Sequence, residues 1–326
     1  AVRRINARMR LCLSGTPIEN NLFELWSLFE FLMPGFLGSQ HAFQRGIVKP
    51  IKDGDAETLD YLRTRVRPFI LRRTKAEVAK DLPPKVESVT CCALEEAQAE
   101  LYAALARKLR AQVLADVDQK GLAKSQMSIL DALLKLRQIC CHPRLLKLDM
   151  PGFSTNLPSG KFDAFKDMVL EIVEGGHKML VFSQFVQMLQ IIKQWLEFSH
   201  IPFCYLDGAS KDRFEQVDRF NNSPDIPIFL ISLKAGGTGL NLTSADYVIH
   251  YDPWWNPAVE SQATDRTHRI GQTRQVFSYK LICQNTVEEK ILKLQEAKRG
   301  VAEAIIPGQD TWKSLTREDL EMLFDV

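Results

Sequence analysis

Ile228-Phe229-Leu230-Ile231-Ser232-Leu233-Lys234-Ala235-Gly236-Gly237-Thr238-Gly239-Leu240-Asn241-Leu242 runs from an unbroken apolar stretch into three glycines within four residues. A short apolar run without alternation is the pattern of a strand buried on both faces. The glycines after it open backbone conformations closed to other residues, and they let N–H groups approach a ligand with no Cβ in the way. They suit a tight strand-to-helix turn as well as a phosphate-holding loop, and taken alone they leave both readings open.

The same grammar extends in both directions. Strands are expected at 179–183, 203–206, 228–232, 247–251 and 276–282, with amphipathic helices at 162–174, 186–198, 212–221 and 287–298. Strands alternating with helices of this length predict an α/β fold, a mostly parallel sheet covered on both faces in three layers. Before residue 158 the period is helical: Leu22, Leu25, Trp26, Phe29 and Leu32 mark one helix, Leu101, Leu105, Leu109 and Val113 a second, and Ile129, Leu133, Leu136, Ile139 and Cys140 a third. The prolines of Asp81-Leu82-Pro83-Pro84-Lys85 break that pattern as a linker, and 86–94 reads as a strand. Residues 149–160, rich in Pro, Gly, Ser and Asn, read as the main domain boundary. The last 26 residues end in a small helix with one apolar face.

At 326 residues, 45% hydrophobic and 25% charged, the chain is sized for about two domains with real cores. No apolar run approaches the ~20 residues of a membrane span, and no secretory signal opens the chain. Seven cysteines, none in a Cys-x-x-Cys pair, suggest reduced thiols in an intracellular compartment. The net charge of +2 means that any nucleic-acid site is local.

Gln262, Arg266 and Arg269 stand at i, i+4 and i+7, which on a helix would aim both guanidinium forks one way. Such a pair fits a polyanion, since arginine binds phosphate oxygens bidentately; a solvated face with Asp265 as partner is the other reading. Arg63, Arg65, Arg67, Arg72, Arg73 and Lys75 form the densest basic run, either a solvated face or a phosphate contact. Cys91-Cys92 and Cys140-Cys141-His142 lack the usual zinc-ligand spacing, so buried thiols are expected there and no metal.

The combination is more specific than its parts. Leu13-Ser14-Gly15-Thr16-Pro17, Leu71-Arg72-Arg73-Thr74-Lys75, Leu82-Pro83-Pro84-Lys85 and Arg137-Gln138-Ile139-Cys140-Cys141-His142-Pro143 come first. Val181-Phe182-Ser183-Gln184-Phe185, the glycine loop, Asp252-Pro253-Trp254-Trp255-Asn256-Pro257 and Asp265-Arg266-Thr267-His268-Arg269-Ile270-Gly271-Gln272 follow in order. This set resembles the Swi/Snf-type ATP-driven double-stranded DNA translocases of helicase superfamily two. The resemblance implies a motor of two RecA-like lobes with ATP between them, of which this chain holds the second, with α-helical insertions. A G-x-x-x-x-G-K-[S/T] loop is absent, the one Gly-Lys pair (Gly160-Lys161) being followed by Phe162, and no Asp-Glu dipeptide occurs. The phosphate loop and magnesium carboxylates are therefore expected on a first lobe preceding residue 1, with the chain a C-terminal fragment that does not hydrolyse ATP alone.

Site roles follow from the resemblance. Arg266 and Arg269 match arginine fingers. Gly237, Gly239, Asn241 and Gln262 would line the nucleotide cleft, and Ser14, Gly15 and Thr16 would couple nucleotide state to lobe closure. Gln184, Gly208, Ser210, Lys234, Thr238 and Trp255 would hold duplex DNA by its backbone, Gly208-Ala209-Ser210 at the opening of a helix; Trp254, like Trp255 on its other reading, suits a core-capping aromatic. His268 stands where many relatives have Tyr, and Thr238 where others have Leu. The implied organisation is 1–40 for the end of lobe one and the start of a helical protrusion, 41–85 for its completion and the linker, 86–157 for a strand and second protrusion, 158–300 for lobe two and 301–326 for a helical tail. ATP and Mg2+, both needing the first lobe, are the implied cofactors; duplex DNA, that lobe and a DNA-bound protein target are the implied partners, in a cytoplasmic or nucleoid setting with no membrane. The rival expectations are a non-catalytic DNA- or protein-binding module, and an RNA helicase, against which the Trp-Trp-Asn-Pro loop and the Arg-Ile-Gly-Gln ending speak.

Overall fold

The apolar periodicities translate into two compact units, residues 1–80 with 297–313 and residues 81–296 with 314–326. The computed structural model describes residues 5–13, 22–71, 73, 75–79, 81–146, 157–236, 239–305 and 317–325. Ser14, Gly15, Thr16, Arg72, Gly237 and Thr238 lie outside the described residues.

In the first unit, α1 (Leu22–Leu32) precedes a nearly continuous helical run of α2 (Gln40–Phe43), a π-helical turn (Gln44–Val48) and α3 (Lys49–Lys52), followed by α4 (Ala56–Val66) and α5 (Lys75–Val78). Ser39 and Asp55 cap α2 and α4 with their side-chain oxygens, satisfying N–H groups that a helix start leaves unpaired. Leu22, Leu25, Trp26 and Phe29 bury their side chains against Phe43, Val48, Ile51, Leu59, Leu62 and Val66. The apolar stripe of α1 is thus covered within its own unit. Within the basic run, Arg65 is tied down: it donates to Tyr61 Oη at 2.5 Å and to the Phe36 carbonyl at 2.7 Å.

The second unit begins with β1 (Lys85–Cys92), α6 (Glu96–Lys120) and α7 (Leu122–Cys141). It continues with α8 (Gly160–Glu174), β2 (Met179–Ser183), α9 (Val186–Phe198), β3 (Phe203–Leu206), α10 (Arg213–Asn222), β4 (Ile228–Ser232) and α11 (Leu233–Gly236). β5 (Tyr247–His250), α12 (Pro257–Thr264), β6 (Val276–Cys283), the part of α13 (Val287–Ile305) up to residue 296, and α14 (Arg317–Leu323) complete it. Six strands form one sheet in the order β1-β6-β5-β2-β4-β3, every pair parallel. The expected α/β class is what the structure has. Its boundaries differ: β1 pairs with β6 from Lys85↔Val276 to Cys92↔Cys283, and α6 and α7 belong to the same unit. The break between units falls after Lys80 rather than at 149–160.

Alternation along the strands makes three layers. Met179 and Val181 face a cluster with Phe165 and Val169 of α8 and Leu189 and Ile192 of α9. Leu180 and Phe182 face the opposite cluster, with Phe220 of α10 and Ala263 of α12. A third core joins α6, α7, α13 and α14 through Leu105, Leu133, Ile291 and Leu323. No helix among the described residues is long and apolar enough to cross a membrane.

Gly160-Lys161 is explained by packing. A Cβ at Gly160 would collide with the Ala93 carbonyl oxygen. Lys161, fully buried, reaches Glu288 Oε2 at 2.5 Å and the carbonyls of Leu281 and Tyr251 at 3.1 and 3.3 Å. Burial alone would lower its pKa, but Glu288 and the neighbouring thiols hold it well above the ordinary lysine value.

Candidate nucleotide and nucleic-acid interface

Because every strand runs the same way, the loops after β2, β3, β4 and β5 leave one edge of the sheet, where ligands of parallel α/β folds gather. The loop after β3 departs from expectation. The Asp207 carboxylate accepts from Ala209 N at 2.9 Å, Ser210 N at 3.0 Å and Ser210 Oγ at 3.0 Å. Burial works against the charge, yet these bonds hold the carboxyl below its usual range. Gly208-Ala209-Ser210 therefore forms a turn around its own anion, and α10 starts three residues later at Arg213. Lys234, on α11, is exposed at the same edge.

Between β2 and β5 the chain paths diverge, since β2 leads on to β3 at one side of the sheet and β5 leads to β6 at the other. A side chain from α7 fills this point. The Arg137 guanidinium is 2% exposed; it donates through Nη1 to Gln184 Oε1 at 3.2 Å and through Nη2 to the Pro253 carbonyl. Its Nη2 also stands 3.6 Å from the fully buried Asp252. Asp252 accepts from Ser183 Oγ at 2.5 Å and from Gln184 N at 3.3 Å. Burial raises the Asp252 carboxyl to about 6, with Arg137 and Ser183 opposing. The Gln184 amide is turned inward, its nitrogen buried. Trp255 is half-buried, packed against the helical core and 5.8 Å beneath the Arg137 guanidinium. Trp254 packs on the sheet core, as a capping aromatic would.

The arginine segment also differs from its expected form. Helix α12 stops at Thr264, so Gln262 lies on it but Arg266 and Arg269 follow in a chain of tight turns. Asp265 N–H still reaches Ser261 O, while Arg266 N–H reaches Ala263 O and Arg269 N–H reaches Thr267 O. The Thr267 hydroxyl donates to Thr264 O at 2.8 Å, and the His268 ring meets Pro83 O at 2.8 Å. Local hydroxyl bonding of this sort competes with helix continuation. The two arginines still feel one another: burial first, and the Arg269 charge second, lower the Arg266 pKa, with Asp265 opposing. The turn is joined to the segment after the glycines, because Leu242 N–H donates to Arg266 O at 3.0 Å. Gly239 and Asn241 are exposed beside it, with Asn241 O accepting from Asn221 Nδ2 at 3.0 Å. Gln272 braces the turn from below through bonds to Ala245 O and Thr267 O.

Cys140, Cys283 and Glu288 come close enough to share an ion among the described residues. The Lys161 ammonium, however, already provides the cation there. Burial raises the Cys140 and Cys141 thiols well above their ordinary value and Cys92 to about 11. His142 is lowered to about 4 by burial and Arg144, its Nδ1 accepting from Arg144 N at 3.2 Å. A cavity of about 610 Å³ opens at the opposite edge of the sheet, among Lys178, Asn222, Ser244 and Arg274. It shares Gln272 with the arginine turn but none of the residues at the C-terminal strand ends.

Sequence reasoning singled out Gln184, Lys234, Arg266 and Arg269 but assigned no role to Arg137, Asp252, Lys161 or Glu288. One signal was present. Lys161 precedes Phe165, Val169 and Ile172 at helical spacing, which puts its charge on the buried face of α8.

Comparison with known proteins adds the rest. Residues 1–145 match the SNF2-related domain and residues 160–271 the helicase conserved C-terminal domain. The chain is 40% identical over 335 residues to the putative ATP-dependent helicase/translocase YwqA of Bacillus subtilis, covering 99% of this chain and 35% of that protein. It is 35% identical over 381 residues to human TATA-binding protein-associated factor 172, covering 100% of this chain and 20% of that one. The chain thus spans about a third or less of the length of these curated relatives. The SWI2/SNF2 ATPase core of Sulfolobus solfataricus in complex with double-stranded DNA superposes with a TM-score of 0.61 at 39% identity, over 100% of this chain and 68% of that one.

Proposed function

The chain belongs to the SWI2/SNF2 family, and on that premise we propose that it is the second RecA-like lobe, with its helical insertions, of an ATP-dependent double-stranded DNA translocase. The observation that carries this is the join between Leu242 and Arg266, which ties the segment after the glycine loop to a turn carrying two like-charged guanidiniums, Arg266 buried and Arg269 exposed. Two arginines held together fit the polyphosphate end of a nucleotide, and fit poorly with any reading in which both are surface decoration. Arg266 and Arg269 would offset charge as it develops on the phosphoryl group. Gly239 and Asn241 would flank the nucleotide, with Gln262 behind them on α12. Mg·ATP supplies the driving chemistry, and its phosphate cradle and magnesium carboxylates belong to a first lobe of the full-length protein.

The duplex would lie along the C-terminal strand edge. Lys234 is its exposed cation there, while the loops of Gln184 and Trp255, and the Asp207–Ser210 turn, shape the surface beneath it. Such contacts neutralise phosphates and read no bases. The setting is intracellular, consistent with seven free cysteines. A steady-state assay of this chain with Mg·ATP and saturating duplex tests the division of labour. No DNA-stimulated turnover is expected, whereas full-length protein turns over. Turnover by the chain above about 1 s⁻¹, inside the ordinary enzyme range, that vanished in Arg269→Ala would overturn it.

A further inference from the structure

We infer that Arg137 is a positioning residue: from the helical pair α6–α7 it fixes the loops after β2 and β5, on which Gln184 and Trp255 stand. The inference rests on the DNA reading above only for what those loops support. A guanidinium offers five donors in a rigid fork, so it can hold several acceptors in one plane where an ammonium cannot. Arg137 uses this geometry on acceptors 47 and 116 positions away, the Gln184 amide oxygen and the Pro253 carbonyl. Asp252 closes the figure by accepting from Ser183 Oγ and Gln184 N while facing Arg137. The rings of Phe185 and Trp255 each lie 5.8 Å from the guanidinium carbon. One side chain of the helical insertion therefore touches both loops at once, at the point where the sheet's connections part.

A buried ion pair is often bettered by apolar packing, so the Arg137–Asp252 pair is weak evidence of a role in stability. What the arrangement does supply is one rigid fork that meets both loops.

Two variants separate positioning from bulk stability. Arg137→Lys keeps a cation for Asp252 but cannot span Gln184 and Pro253 together. Arg137→Met with Asp252→Asn removes both charges, so no unpaired ion is left in the core. In hydrogen exchange, both should speed amides of 183–186 and 252–256 by about tenfold or more while the β4 amides of Ile228–Ser232 keep their protection. Anisotropy titration with a fluorescent duplex should show affinity lower by roughly tenfold in both, because a loosened supporting shell spreads the binding geometry. Wild-type exchange in both loops, or exchange rising equally across β4, makes Arg137 a core filler and overturns the inference. Should the wild-type chain fail to bind duplex, the DNA reading falls, and the exchange result still decides the role of Arg137.

Discussion

Arg137 and Arg269 serve the same sheet, yet one guanidinium is 2% exposed beside a carboxylate and the other faces solvent beside a second arginine. At Arg137 the acceptors come from the chain itself, from two loops that folding has already brought together. At Arg266 and Arg269 the like charges oppose one another, and folding places them together at a cost. The difference teaches what each is for. On the function proposed above, the cation whose partners are internal fixes geometry, and the arginine turn offers its charge to an anion from outside.

The sharpest way to break this contrast is in the full-length protein. Arg269→Ala or Arg266→Ala should lower DNA-stimulated ATP turnover by about a thousandfold or more, since arginine fingers act on charge present only during phosphoryl transfer. Duplex affinity should stay nearly unchanged. Equal losses of affinity and turnover would assign the turn to DNA and erase the distinction.

Stability gives the next effect, on the buried side alone. Glu288→Gln leaves the Lys161 ammonium without its carboxylate in a fully buried site, and breaking such a pair costs about 3–5 kcal/mol. Urea denaturation should show the loss. Arg269→Ala in the same assay should stay within about 0.5 kcal/mol, as exposed substitutions do. A comparable loss in both variants would mean that the arginine turn is structural.

These two regions were unequally legible in the sequence. Strands 179–183, 203–206 and 228–232 and helix 186–198 were readable to the residue, because buried parallel strands are unbroken apolar runs and the amphipathic period is local. The motif order pointed to Arg266 and Arg269 as well. The helix stops short of them because the Thr267 hydroxyl bonds back to Thr264 O and the His268 ring to Pro83 O, and periodicity carries no record of such bonds. Arg137–Asp252 and Lys161–Glu288 were invisible as pairs. Their members are 115 and 127 positions apart in the numbering and meet only through the sheet order. The place of β1 was hidden for the same reason: nothing near residue 85 says that its neighbour is β6.

A smaller effect separates DNA contact from scaffolding. Lys234→Ala should weaken duplex binding alike on unrelated sequences and reduce the slope of log affinity against log salt by about one, as expected for one lost phosphate contact. Turnover at saturating DNA should hardly change. An unaltered slope would remove Lys234 from the interface.

The smallest effect is expected from acid, because two buried groups oppose each other. His250 is fully buried with Nε2 2.9 Å from Thr264 Oγ1, and burial lowers it to about 4. Between about 6.5 and 4 the unfolded chain binds the proton that folded His250 refuses, so stability is lost as pH falls through that window. Asp252 has the reverse sign. Burial raises it to about 6, above the ordinary aspartate range, so the folded chain takes up its proton first and stability is gained as pH falls from about 6 to 4. Each shift is worth about 3 kcal/mol, and the wild-type chain should be nearly level in this range for these two groups. His142, also lowered to about 4, adds a loss common to every variant and cancels between them. Asp252→Asn should lose stability toward pH 4 more steeply than wild type, and His250→Gln should lose less or gain. If Asp252→Asn follows the wild-type pH profile, Asp252 is fully ionised beside Arg137. The buried pair would then hold its charge as easily as the solvent-facing Arg269 does, and the contrast between the two regions would lose its electrostatic basis.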